Sequence, residues 1–177
     1  MAGVLIRPAA KPDLGAITAI YSHSVLHGTA SFEIEPPDEA EMGNRFDALI
    51  DQGYPYIVAE IDGRIVGYAY AGAYRTRPAY RFSVEDSIYV AADAQGQGLG
   101  RALLTELIAL SVSKGFRQMI AVIGDSRNFA STALHRSQGF IFSGTIHSVG
   151  FKHGRWLDSV IMQRALGKGD TELPLEC

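Results

Sequence analysis

Gln95-Gly96-Gln97-Gly98-Leu99-Gly100 stands between an apolar run, Phe82 to Val90, and a segment in which Leu99, Leu103, Leu107 and Leu110 recur at helical spacing. The stretch therefore reads strand, glycine loop, helix, with the helix running to Lys114-Gly115. Glycine permits positive φ and lets backbone N–H groups come close to a ligand. A helix N-terminus adds unpaired donors and partial positive charge. Together these make a cradle for a phosphate or pyrophosphate, to which Arg101 could add a full charge. The G-x-G-x-G spacing is not the dinucleotide pattern G-x-G-x-x-G. Gly100-Arg101-Ala102 does not supply the Gly-Lys-Ser/Thr end of a P-loop. A bare glycine-rich turn is the alternative reading of the spacing alone.

Upstream of this stretch, Val4 to Arg7 reads as a short strand, and Lys11-Pro12-Asp13 opens a helix. Leu14, Ile17, Ile20, Tyr21 and Val25 mark its apolar face, and Gly28 ends it. Asp38 caps a second helix with Met42, Phe46, Leu49 and Ile50 inward and Gly53 closing it. Tyr56 to Ile61 and Ile65 to Tyr74 form a hairpin around Asp62-Gly63, and Arg75 to Arg81 is a polar loop. Downstream, Met119 to Ile123 is a strand and Asn128 to Gln138 a short helix closed by Gly139. Phe140 to Val149 and Leu157 to Arg164 are final strands, with Arg155-Trp156 between them. The order is βααβββαβαββ. It implies an α/β (α+β) fold with a mixed, mostly antiparallel twisted sheet flanked by helices.

The chain has 177 residues, enough for one domain, which we bound at 1–166 with 167–177 as a loose tail. Net charge is −3, and no basic run interleaves with aromatics, so a nucleic-acid partner is not expected. No apolar stretch approaches the roughly 20 residues that span a bilayer, and no signal peptide is visible. Cys177 is the one cysteine, which excludes an internal disulfide and fits a reducing, cytoplasmic setting. His23 and His27 have i, i+4 spacing without HExxH or a third ligand, so no metal site is expected.

Gln95-x-x-Gly98-x-Gly100 in this setting resembles the acetyl-CoA loop of the GNAT superfamily of N-acetyltransferases. Ser126-Arg127-Asn128, followed by Ala133-Leu134-His135-Arg136-Ser137-Gln138-Gly139-Phe140, is similar to that superfamily's second cofactor segment. Gly53-Tyr54-Pro55, Val58-Ala59-Glu60, Gly67 to Gly72, Val84 to Val90 and Gly150 to Trp156 narrow the resemblance to phosphinothricin and methionine sulfoximine acetyltransferases. The resemblance implies a single-domain GNAT-like fold and acetyl-CoA as cosubstrate. It implies that the cofactor's pyrophosphate lies on the N–H groups of Gly96, Gln97, Gly98, Leu99, Gly100 and Arg101. It implies that Ile88, Tyr89 and Val90 pair with the pantetheine arm, that Asn128 binds the same arm, and that Ser137 lies near it. A homodimer is also implied, with Val149 to Trp156 reaching a partner subunit.

The acceptor amine must lose a proton before attacking a thioester, so a base is needed. Glu85 sits in an apolar, aromatic strand where partial burial would raise its pKa. A solvated carboxylate is the alternative, and the resemblance favours the base. Asp86 alternates to the opposite face and is the weaker candidate. His135 stands where many members of the superfamily carry a tyrosine; it is either a proton donor to the leaving thiolate or a core or capping histidine. A backbone N–H of the Ile88–Val90 strand is implied as the oxyanion donor.

Arg75 and Arg77 offer planar forks for a carboxylate or phosphinate, or are solvated loop residues. The resemblance favours an anionic substrate group. Phe32 and Tyr80 are either walls of that pocket or core. The expected activity is transfer of acetyl to the α-amine of a small anionic amino acid or analogue. The alternatives are acetylation of peptide N-termini or another amine, and a non-catalytic acyl-CoA-binding module.

Overall fold

The computed structural model describes residues 3–174, and counts refer to those residues. Cys177 lies outside them. The elements are β1 (Leu5–Pro8), α1 (Leu14–His27), α2 (Glu39–Asp51), β2 (Tyr56–Ile61), β3 (Arg64–Ala73), β4 (Ser83–Val90), α3 (Leu99–Ser113), β5 (Gln118–Gly124), α4 (Phe129–Ser137), β6 (Ile141–Lys152) and β7 (Arg155–Ala165). This is the order read from the sequence. The strands form one sheet ordered β1-β2-β3-β4-β5-β7-β6. Only β4 with β5 is parallel, because α3 carries the chain back across the sheet between them. The other five pairings are antiparallel, so the sheet is mixed and mostly antiparallel as expected.

Helices cover both faces. On one, α1 buries Leu14, Ile17, Ile20, Tyr21 and Val25, the same five positions marked by spacing. They pack with Met42 and Phe46 of α2 on Tyr56, Val58 and Tyr68 of the sheet. Asp38 caps α2 by accepting from the Glu41 N–H at 2.8 Å. Ile50, expected inward, is exposed; its neighbour Leu49 takes the inward position in that turn and packs against the core. On the other face, α3 buries Leu99, Leu103 and Leu107 as expected, and also Leu104 and Ile108. Its stripe is wider because it crosses several strands, and Leu110 is left half-buried at the margin.

Asp62 and Gly63 take φ of 50° and 79°, the two positive values a two-residue hairpin needs. The last hairpin turns at His153-Gly154, so Arg155 and Trp156 belong to β7 and not to the connection. Residues 167–173 fold back on the domain. Leu166 and Gly169 are buried, and Arg117 donates to the carbonyls of Gly169 and Leu173 at 3.3 Å each. Among the described residues, no helix is long and apolar enough to cross a membrane.

Candidate active site

β4 and β5 pair only from Ser83↔Gln118 to Asp86↔Ala121. Beyond that register β4 keeps its bonds to β3 through Val90, and β5 keeps its bonds to β7 through Gly124. The two strands separate, and the edge of β4 from Ser87 to Val90 has no strand on that side. A sheet interior normally leaves no such gap, since unpaired backbone groups must find partners. The gap is a cavity of about 660 Å³ that passes between the faces of the sheet.

Side-chain alternation divides the cavity. Asp86, Ile88 and Val90 face the α3 and α4 side, whereas Glu85, Ser87 and Tyr89 face the α1 and α2 side. Both sets line the cavity. At the first end, α3 points its N-terminus into the opening. Gly98 is its N-cap at φ 82° and supplies no side-chain cap. The first intrahelical bond is Ala102 N–H to Gly98 O at 3.1 Å, so the N–H groups of Leu99, Gly100 and Arg101 have no acceptor behind them. A Cβ added at Gly96 or Gly98 would meet nothing within 4 Å, so these glycines serve backbone conformation and leave open space beside the donors. Asn128 caps α4 by accepting from the Ser131 N–H at 3.2 Å and also lines this end.

At the other end stands Glu85, half-buried. Its pKa is raised above the ordinary glutamate value, first by burial and second by the neighbouring Asp86, with Arg75 opposing. Tyr70, Ser31 and Phe32 line the cavity beside it.

His135 is buried and joins the two segments that the sequence separates. Its Nε2 lies 2.9 Å from Asp86 Oδ2, and its Nδ1 lies 2.8 Å from the Ser131 carbonyl. A carbonyl only accepts, so Nδ1 carries a proton, and a second proton lies between Nε2 and Asp86. Burial pulls the His135 pKa down, but the bond and charge of Asp86 and the Ser131 carbonyl outweigh it and leave it raised. Neither ring nitrogen is free. Asp86 Oδ1 has no partner among the described residues and sits in the cavity wall.

Of the residues singled out by sequence, Phe32, Glu85, Ile88, Tyr89, Val90, Gly96, Gly98, Leu99, Gly100, Asn128 and His135 line this one cavity. Gln97 and Arg101 do not line it and are exposed, although each adjoins a residue that does. Ser137 does not line it; its hydroxyl donates to the Leu134 carbonyl at 2.7 Å. Arg75, Arg77 and Tyr80 lie outside the wall on the loop before β4, where Arg75 stacks over Tyr74 at 5.0 Å and Tyr80 meets the same ring edge-on. Sequence reasoning missed Tyr70, Ser31 and the partnership of Asp86. Period-two alternation from Glu85 would have flagged Tyr70 only with the β3–β4 register in hand. No metal-binding cluster of three or more His, Cys, Asp or Glu occurs among the described residues.

Known proteins with this arrangement are informative. The acetyltransferase (GNAT) family profile matches residues 17–140. The phosphinothricin N-acetyltransferase of Alcaligenes faecalis is 56% identical over 169 residues, covering 96% of this chain and 86% of the relative. The L-methionine sulfoximine/L-methionine sulfone acetyltransferase of Pseudomonas paraeruginosa is 44% identical over 159 residues, covering 89% and 92%. A crystal structure of a GNAT superfamily phosphinothricin acetyltransferase from Sinorhizobium meliloti, in complex with AcCoA, superposes with a TM-score of 0.95 at 52% identity, covering 98% and 94%. A split parallel strand pair, a glycine-capped helix aimed into the split, and these likenesses over nearly the whole chain have one reading: the chain belongs to the acetyltransferase (GNAT) family.

Proposed function

We propose that the protein is an acetyl-CoA-dependent N-acetyltransferase that acetylates the α-amine of a small anionic amino acid or analogue, of the phosphinothricin, methionine sulfoximine or methionine sulfone type. One observation carries the reading: a half-buried carboxylate of raised pKa, Glu85, and an uncapped glycine helix N-terminus share one cavity through a split sheet. The relatives act on amino acids of this type by name. Acetyl-CoA supplies the acetyl thioester. Its pyrophosphate fits the free N–H groups of Leu99, Gly100 and Arg101, with Gly96, Gln97 and Gly98 shaping the approach. The unpaired edge of β4 at Ile88, Tyr89 and Val90 holds the pantetheine arm as an added strand is held, and one of its N–H groups faces the developing oxyanion. Asn128 closes the other side of the groove.

Glu85 takes the proton from the acceptor ammonium, directly or through water. Its raised pKa brings it nearer the working pH, where a base is most effective. His135 has both nitrogens engaged, so we assign it to holding Asp86 and α4 in place, not to donating a proton to the thiolate. Arg75, close enough to influence Glu85 electrostatically, and Arg77 receive the substrate's anionic groups, with Phe32 as an apolar wall and Tyr80 beside the arginines on their loop. Ser137 lies at the margin of the cofactor groove.

The protein is a homodimer in this reading, and residues 1–166 form the catalytic domain, acting in the cytoplasm. Support for the dimer comes from β6, the edge strand, which is exposed along nearly its whole length and carries Ile141, Phe142, Ile146, Val149 and Phe151 outward. An apolar edge of this kind invites a partner.

Purified protein given acetyl-CoA and a panel of amino acids, with thiol release followed, tests the activity. Release with phosphinothricin, methionine sulfoximine or methionine sulfone is expected. Cofactor binding without thiol release from any amine would replace the enzyme by an acyl-CoA-binding module.

A further inference from the structure

The segment from Gly28 to Glu33, between α1 and α2, is held by groups far away in sequence. Lys152, at the end of β6, is 4% exposed, and its Nζ donates to the Ser31 carbonyl at 2.8 Å. His153 Nε2 bonds the Gly28 carbonyl at 3.1 Å. The Tyr21 and Ser31 hydroxyls meet at 2.9 Å. Two glycines complete the arrangement. A Cβ at Gly150 would stand 2.5 and 2.6 Å from Cε2 and Cδ2 of the Phe32 ring. A Cβ at Gly124 would stand 2.9 Å from Phe32 Cε1 and would overlap the Thr29 carbonyl oxygen. Neither glycine has positive φ, so neither is there for backbone freedom. What they provide is room: Gly150 for the ring alone, and Gly124 for the Thr29 carbonyl and the edge of the same ring.

We propose that Gly124 and Gly150 form a seat that, with Lys152 fixing the Ser31 carbonyl, sets the position of Phe32 as the acceptor-side wall, making them positioning residues for acceptor specificity. The proposal rests on the acceptor reading given above. Phe32 lines the cavity, and its neighbour Ser31 meets Tyr21, whose ring packs on Tyr89, so this wall lies on the sheet face that Glu85 shares. A methyl group at residue 150 would stand well inside van der Waals contact with the ring, which is itself 38% exposed and has open space only on its solvent and cavity side. The ring must then move, and the wall moves with it. Because β6 and β7 supply the seat, the last hairpin shapes a pocket whose chemistry is carried by β4.

The test is a double-mutant cycle on Gly150→Ala and Phe32→Ala, read in two ways. In the first, Gly150→Ala should lower Tm by about 2–4 °C in the wild-type background and by almost nothing beside Phe32→Ala. In the second, Gly150→Ala should raise the acceptor KM on the order of tenfold, with the dissociation constant for acetyl-CoA unchanged. Lys152→Met should move the acceptor KM in the same direction. Equal losses of Tm with and without the Phe32 ring would overturn the seat. An acceptor KM unmoved by Gly150→Ala, or a matching loss of acetyl-CoA affinity, would overturn its role in specificity. If the wild type acetylates no amino acid, the acceptor reading fails, and the thermal cycle still decides whether the seat exists.

Discussion

Glu85 and His135 are opposite cases of a titratable group in one cavity. Glu85 is destabilised as an anion by burial and by Asp86, so it holds its proton to higher pH than a free glutamate. As a base it must be ionised, and kcat/KM should fall as pH drops through a value above the ordinary glutamate pKa. Glu85→Gln should lower kcat by about 10²–10⁴-fold and remove that acid limb, with circular dichroism unchanged. Near-normal turnover across pH in this variant would take Glu85 out of the mechanism. His135 is instead stabilised as a cation by Asp86. Folding therefore takes up a proton. The stabilisation is complete below the unfolded imidazole pKa of about 6.5 and is lost as pH rises through the raised folded value. The stability gap between wild type and Asp86→Asn, from urea melts at a series of pH values, should narrow as pH rises through that window. A gap that is flat or widens would mean the pair is not held as an ion pair.

α3 shows how one element answers two demands. Its buried stripe fixes it to the sheet, and its first turn is left open. Gly98 sits at φ 82° with open space around it, so a substitution there is penalised by conformation and not by contact. Gly98→Ala should cost about 1–2 kcal/mol of stability and a larger share of acetyl-CoA affinity, because the N–H groups behind it turn away. Calorimetric titration with acetyl-CoA checks this; affinity equal to wild type would leave the helix end without a ligand. Leu103→Ala, in contrast, opens a cavity in a fully buried layer and should cost about 2–5 kcal/mol while leaving cofactor affinity intact in the folded fraction.

The molecule as a whole presents an unevenly finished surface. Most of the sheet is covered by four helices, but the β6–β7 ribbon extends past them with Phe151 and Trp156 in edge contact at 5.3 Å and both exposed. Phe129, at the start of α4, adds to the exposed apolar surface. Elution as a dimer is expected in size exclusion, and Trp156→Glu should shift it toward monomer; a wild type that elutes as a monomer at tens of micromolar would exclude the dimer. The glycine loop, the five-residue face of α1, the Asp62-Gly63 hairpin and the element order were legible in the chain because each is a local matter of spacing, φ and capping. The same locality made Glu85 readable as a carboxylate in an apolar strand. The bond between Asp86 and His135, the splitting of β4 from β5, and the seat of Phe32 between Gly124 and Gly150 were not legible. They depend on register and on approach between segments dozens of residues apart, which no local pattern encodes. The loop that signals a phosphate cradle is written in consecutive residues, whereas the cavity that joins it to a base exists only where two strands stop pairing.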